Sequence, residues 1–130
     1  MRYGFHLTAT AALIGATAFT HAADFDGSKS LLCAPVQAID CAAGRACVAD
    51  VPGNLGAPNF MHIDFEKKVV VGPLRATPIL YTQKDEDQLL LQGTELGFAW
   101  SLALDSQGGM TATLADADGA FVMFGSCTPK

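Results

Sequence analysis

The sequence predicts an all-β fold: a small antiparallel up-and-down barrel or sandwich of about seven to eight short strands, with a disulfide-stapled N-terminal loop. Three observations predict it. Helical periodicity is nearly absent beyond residue 22, whereas apolar residues alternate with polar ones in short runs. Gly, Asp, Asn and Pro separate these runs at a spacing of roughly ten residues, the rhythm of strands and turns. Connections this short force antiparallel neighbours. Each reads as a hairpin rather than a long Greek-key crossover, which favours an up-and-down barrel over a sandwich. At 130 residues the chain is one domain's worth.

Residues 1–22 have the three-part pattern of a secretory signal peptide. Arg2 supplies the positive start, residues 7–19 form an uncharged apolar run, and Thr20 and Ala22 are the small residues at −3 and −1 of a cleavage site after Ala22. The run is about 13 residues, against the ~20 that a bilayer requires, so no transmembrane segment is expected. There is no twin arginine. Cys33 follows Leu32 and is separated from the run by Asp24, Asp26 and Lys29, which does not fit a lipoprotein. The expected location is periplasmic or secreted, by a Sec-type signal. What remains, residues 23–130, is a single β-domain of 108 residues.

Within that domain, residues 33–58 hold three cysteines, three prolines and several Gly and Asn, and read as the stapled loop, with a strand within residues 31–39. Residues 60–65 alternate Met61, Ile63 and Phe65 against Phe60, His62 and Asp64. Glu66 and Lys67 then turn the chain into a strand over 68–71, which Gly72-Pro73 breaks. Strands over 77–82 and 88–92 flank a charged turn, with Pro78 at an edge or strand-end position. The clearest run is 98–104, where Phe98, Trp100, Leu102 and Leu104 share one face. Asp105 to Gly109 supplies the positive-φ positions of a hairpin turn. A strand over 110–114, an Asp-Gly turn at 116–119 and a strand over 120–124 complete a meander. Both faces of this last strand are apolar, so the face that does not fill the barrel needs a cover.

An even number of cysteines in an exported chain means disulfides. Four allow three connectivities. The six-residue spacing of Cys41 and Cys47 closes easily, which leaves Cys33 with Cys127, joining the first strand to the last. No cysteine pair has the close spacing of zinc ligands or of a redox C-x-x-C.

Composition and missing motifs exclude further chemistry. With 13 acidic and 8 basic residues the chain lacks the basic face that nucleic acid requires. His62 is the single histidine of the mature domain and reads as a surface residue on an exposed strand face. One histidine cannot build a multi-histidine metal site, and no G-x-S-x-G elbow supplies a nucleophile for it. The spacing after Asp116 and Asp118 does not match a calcium loop. No catalytic, cofactor-binding or metal-ligating residues are therefore assigned, and the domain is expected not to be an enzyme. The aromatic set supplies the candidate ligand- or partner-facing residues: Phe60, Tyr81, Trp100 and Phe124. Trp100, mid-strand in the strongest alternating run, is expected to be buried.

Three C-terminal stretches, residues 97–102, 108–111 and 124–129, together with residues 60–64 and the early cysteines, resemble small exported bacterial proteins of unknown function. That resemblance implies no reaction. In size, export and β content the chain is also similar to periplasmic inhibitors of lysozyme, at the level of fold alone. The expectation is a binding or structural role in the cell envelope, toward protein or envelope material and including inhibitor-like binding. The alternative is a carrier of a small apolar ligand, which requires an interior cavity lined by aromatics.

Overall fold

The structure, a computed structural model, describes residues 24–130; the signal peptide expected over residues 1–22 lies outside the described residues. Ten strands form one antiparallel sheet: β1 (Leu31–Ala42), β2 (Val48–Asp50), β3 (Met61–Asp64), β4 (Val69–Val71), β5 (Ala76–Pro78), β6 (Tyr81–Lys84), β7 (Gln88–Glu95), β8 (Phe98–Asp105), β9 (Gly109–Ala115) and β10 (Gly119–Pro129). A 3-10 turn, Pro52–Leu55, links β2 to β3. The strand order is β5-β4-β3-β1-β10-β9-β8-β7-β6, with β2 paired to the outer half of β1. The sheet curls into a half-barrel, and no described helix is long and apolar enough to cross a membrane.

Two elements depart from the alternation pattern. β1 runs for twelve residues, through Pro35 and as far as Ala42, where the sequence suggested a loop. Pro35 is tolerated because the β1–β10 register shifts between Pro35 and Gln37, and the resulting bulge puts Val36 out into solvent. The single strand expected over 77–82 is two, and they occupy opposite edges of the sheet. β5 pairs with β4, β6 pairs with β7, and the chain changes partner at Ile79-Leu80. Ile79 N donates to Lys68 O at 2.8 Å on one side, and Leu80 N to Gln92 O at 2.9 Å on the other. These two bonds draw the edges of the half-barrel together at a seam. Gly93 of β7 makes the approach possible, since a Cβ there would lie 2.6 Å from Pro78 O and collide with the Trp100 ring.

The first and last strands lie side by side in the middle of the sheet. β1 and β10 pair along nearly their whole length, with Cys33 directly opposite Cys127. The Cys33–Cys127 and Cys41–Cys47 disulfides both form, and no described cysteine is free.

Alternation decides what the concave face buries. Leu31, Cys33, Ile63, Leu89, Leu91, Leu104, Met110 and Cys127 fill the half-barrel toward the starts of β1, β7 and β9. Phe25 and Phe65 pack against that end and close it. Toward the other end the interior side chains are Trp100, Leu102, Ala112, Met61 and Met123. Trp100 is buried, as the alternation predicts.

Candidate functional site

The second end of the half-barrel is open. Its wall is made by segments that leave and re-enter the sheet there: residues 72–75 between β4 and β5, the β7–β8 turn at Leu96-Gly97, and residues 56–58 after the 3-10 turn. They surround a cavity of 470 Å³ whose floor includes Trp100, Leu102, Ala112 and Met123. A volume in the range of several hundred Å³ with an apolar lining and few polar groups is the usual form of a small-molecule site.

Three large apolar side chains at this mouth face solvent: Leu74 at 86% exposure, Leu96 at 76% and Phe98 at 38%. Leu96 also adopts φ 49°, ahead of Gly97 at φ 87°. Two successive positive φ values define the hairpin turn that matches strand twist, for which Asn-Gly is the usual pair. A leucine there sustains roughly 1–2 kcal/mol of backbone strain while its side chain gains no burial. Local strain of this kind without packing compensation is a mark of functional positions.

Trp100 is fixed at the seam by hydrogen bonds. Its Nε1 donates to Thr77 Oγ1 at 3.1 Å, and Thr77 Oγ1 donates to Thr94 O at 3.2 Å. The chain β8–β5–β7 thus satisfies the indole N–H and holds the ring against Gly93. Two charged side chains line the cavity, Arg75 and Glu95. Arg75 Nε lies 3.3 Å from Glu95 Oε1. The N–H is not aimed at that oxygen, which is buried and accepts no hydrogen bond from any described residue.

A second cavity of 400 Å³ adjoins the first across Phe98, Leu114, Met123 and residues 56–58. Asp40, Asp116 and Asp118 border it. Asp116 is committed to its own turn, accepting the N–H groups of Asp118 at 2.9 Å and Gly119 at 3.0 Å. Among the described residues no three metal-ligating side chains cluster.

The four aromatic candidates do not form one site. Trp100 lines the cavity. Phe60 is 60% exposed just before β3, and Tyr81 lies on β6 with its hydroxyl donating to Gln83 Oε1 at 3.2 Å. Phe124 lies on the convex face of β10, opposite Gln37 and Thr111. Phe98 and Leu96, which sequence reasoning did not assign to a site, stand at the mouth.

His62 is not the exposed residue that alternation suggests. Its Nε2 is enclosed and has no hydrogen-bond partner among the described residues. The cause is cross-strand packing on the convex face, where Leu32 of β1 and Val71 of β4 stand opposite it on either side. Ser101 Oγ is hydrogen-bonded to Thr113 Oγ1 at 2.7 Å, on the opposite strand face from Trp100. No protein-family model, curated protein or solved structure matches the chain.

Proposed function

We propose that this chain is an exported, non-enzymatic binding domain that holds a small apolar molecule in the open end of its half-barrel. The observation that carries the reading is the 470 Å³ apolar cavity with exposed leucines at its mouth. Solvent-facing apolar side chains in a ring are costly for a soluble domain and useful for admitting an apolar ligand. Burial of the ligand's surface drives binding, at about 25 cal/mol per Å² before the entropic costs of association.

The chain contains a single tryptophan, and it lines the cavity. Titration with N-phenyl-1-naphthylamine, an uncharged apolar dye, is therefore expected to quench Trp100 with one-to-one stoichiometry. Ala112→Phe, which fills the floor, is expected to abolish binding while the melting transition and far-ultraviolet spectrum persist. Equal dye binding by a folded Ala112→Phe protein overturns the assignment of the site.

A second reading, binding of a protein partner, rests on the exposure of Leu74, Leu96 and Phe98. It predicts that Leu74→Asn with Leu96→Asn removes a protein captured from periplasmic extract without affecting dye binding.

Export is supported by the signal pattern of residues 1–22 and by two disulfides, which persist in oxidising compartments. The mass of the secreted protein should begin at Ala23 and lie about 4 Da below the reduced value, two hydrogens lost per bridge. A mature protein that retains the leader or free thiols contradicts this.

A further inference from the structure

We infer that the mouth of the half-barrel docks on a lipid bilayer of no net charge, with Leu74 and Leu96 inserted into its surface. The inference rests on the cavity reading above and names where the apolar ligand is taken up. Leu74 and Leu96 are the two most exposed large apolar side chains among the described residues, and both line the cavity. They stand on different segments, residues 72–75 and the β7–β8 turn. Their neighbours in sequence, Arg75 and Glu95, form the ion pair at 3.3 Å, which ties the two segments together and leaves them without net charge. Side chains this exposed project from the surface and line no recess of their own. A protein partner has to supply a matching recess for each, whereas fluid hydrocarbon surrounds a projecting side chain without any fixed shape. A bilayer is also where a sparingly soluble apolar molecule accumulates. With both leucines inserted, such a molecule passes along them from the acyl chains into the cavity and stays in apolar surroundings.

Charge decides which bilayer. The acidic turn Asp85-Glu86-Asp87, between β6 and β7, and Asp105, at the end of β8, lie at the opposite ends of their strands from the β7–β8 turn and so point away from the docked surface. Asp116 and Asp118, between β9 and β10, lie at the mouth's own end. The chain as a whole carries 13 acidic and 8 basic residues. An anionic leaflet therefore repels the docked domain, and a zwitterionic one does not.

The test is flotation of the mature, disulfide-bonded protein with dioleoylphosphatidylcholine vesicles, with which the unaltered protein is expected to float. Leu74→Asn with Leu96→Asn is expected to lower its partition coefficient about a hundredfold, since burial of each leucine contributes roughly tenfold or more. Val36→Asn with Leu80→Asn removes comparable exposed apolar surface outside the cavity wall and is expected to bind as the unaltered protein does. Melting transitions confirm that each variant is folded. Replacing about a third of the lipid with dioleoylphosphatidylglycerol is expected to weaken binding at low salt, and less so at high salt. Absence of flotation by a protein that still binds N-phenyl-1-naphthylamine in solution overturns the inference and leaves the cavity reading standing. Flotation that the mouth variant retains, or that the Val36/Leu80 variant loses equally, also overturns it, as does binding strengthened by the anionic lipid. A protein captured from periplasmic extract and lost in the mouth variant, without flotation, assigns the mouth to a protein partner instead. Failure of both flotation and dye binding overturns the two readings together.

Discussion

At the level of single residues, two positions at the open end carry opposite energetic signs. Trp100 is stabilising: it is buried, and its N–H is satisfied by Thr77. Trp100→Ala should cost roughly 3–5 kcal/mol, as large aromatic deletions in cores do. Thr77→Val should cost roughly 1–3 kcal/mol, because it leaves both the indole N–H and Thr94 O without their partner. Urea denaturation measures both, and an unchanged midpoint for either would show that the seam tether is dispensable. Leu96 is destabilising where it stands. Leu96→Asn places the favoured residue at φ 49° and removes an exposed side chain. It should raise stability by about 1 kcal/mol while weakening binding of the naphthylamine dye. A variant that loses stability, or gains it with unchanged dye affinity, would detach the strain at this turn from function.

At the level of elements, the β3–β4 hairpin shows how one carboxylate sets a turn. Lys68 takes φ 55° there, and Asp64 Oδ1 accepts the Lys67 N–H at 2.9 Å. That backbone hydrogen bond, with the nearby Lys67 charge, holds the Asp64 carboxyl below its ordinary value of 3.8. A lowered folded-state pKa favours folding above the ordinary value, and the gain is lost as pH falls from there through the folded value. Asp64→Asn is therefore expected to reduce the acid sensitivity of the melting temperature below about pH 4. Identical pH profiles for the two proteins would remove Asp64 from the account.

The same hairpin was legible in the sequence, because alternation of Met61 and Ile63 against His62 and Asp64 fixes the buried face. The meander β8–β9–β10 was legible for the same reason. The division of residues 77–82 was not. Alternation says which face a strand buries, while a change of hydrogen-bonding partner at Ile79-Leu80 depends on strands distant in sequence. Pro35 obscured β1 in a similar way, since only the pairing with β10 supplies the bulge that admits a proline mid-strand.

At the level of the whole molecule, the site is a property of one end of the half-barrel, and sequence patterning has no term for ends. Trp100 was legible as an interior residue. Phe60, Tyr81 and Phe124 stand out in the sequence by aromatic character alone, and they lie before β3, on β6 and on β10, exposed to solvent. Gly93 offered a usable sign, because glycine inside a strand marks close backbone approach. The disulfide framework was legible through loop length. Chain entropy ranks the two bridges, about 2 kcal/mol for the six-residue separation and roughly 4–5 kcal/mol for that of 94 residues. Replacing Cys41 and Cys47 with serine should therefore lower the melting temperature less than replacing Cys33 and Cys127 with alanine. The reverse order would show that native packing, rather than the unfolded chain, decides the contribution of each bridge.

The pairing of β1 with β10 also imposes an order in time. Cys41 can reach Cys47 as soon as a short loop has emerged from a growing chain, whereas Cys33 must wait for Cys127, 94 residues further on. Until then the central ladder has no second strand and β1 keeps an unpaired edge, so assembly is a late event dominated by contacts remote in sequence. A chain built this way cannot complete its central ladder until β10 has arrived, and oxidation of Cys33 with Cys127 reports that the two strands have met.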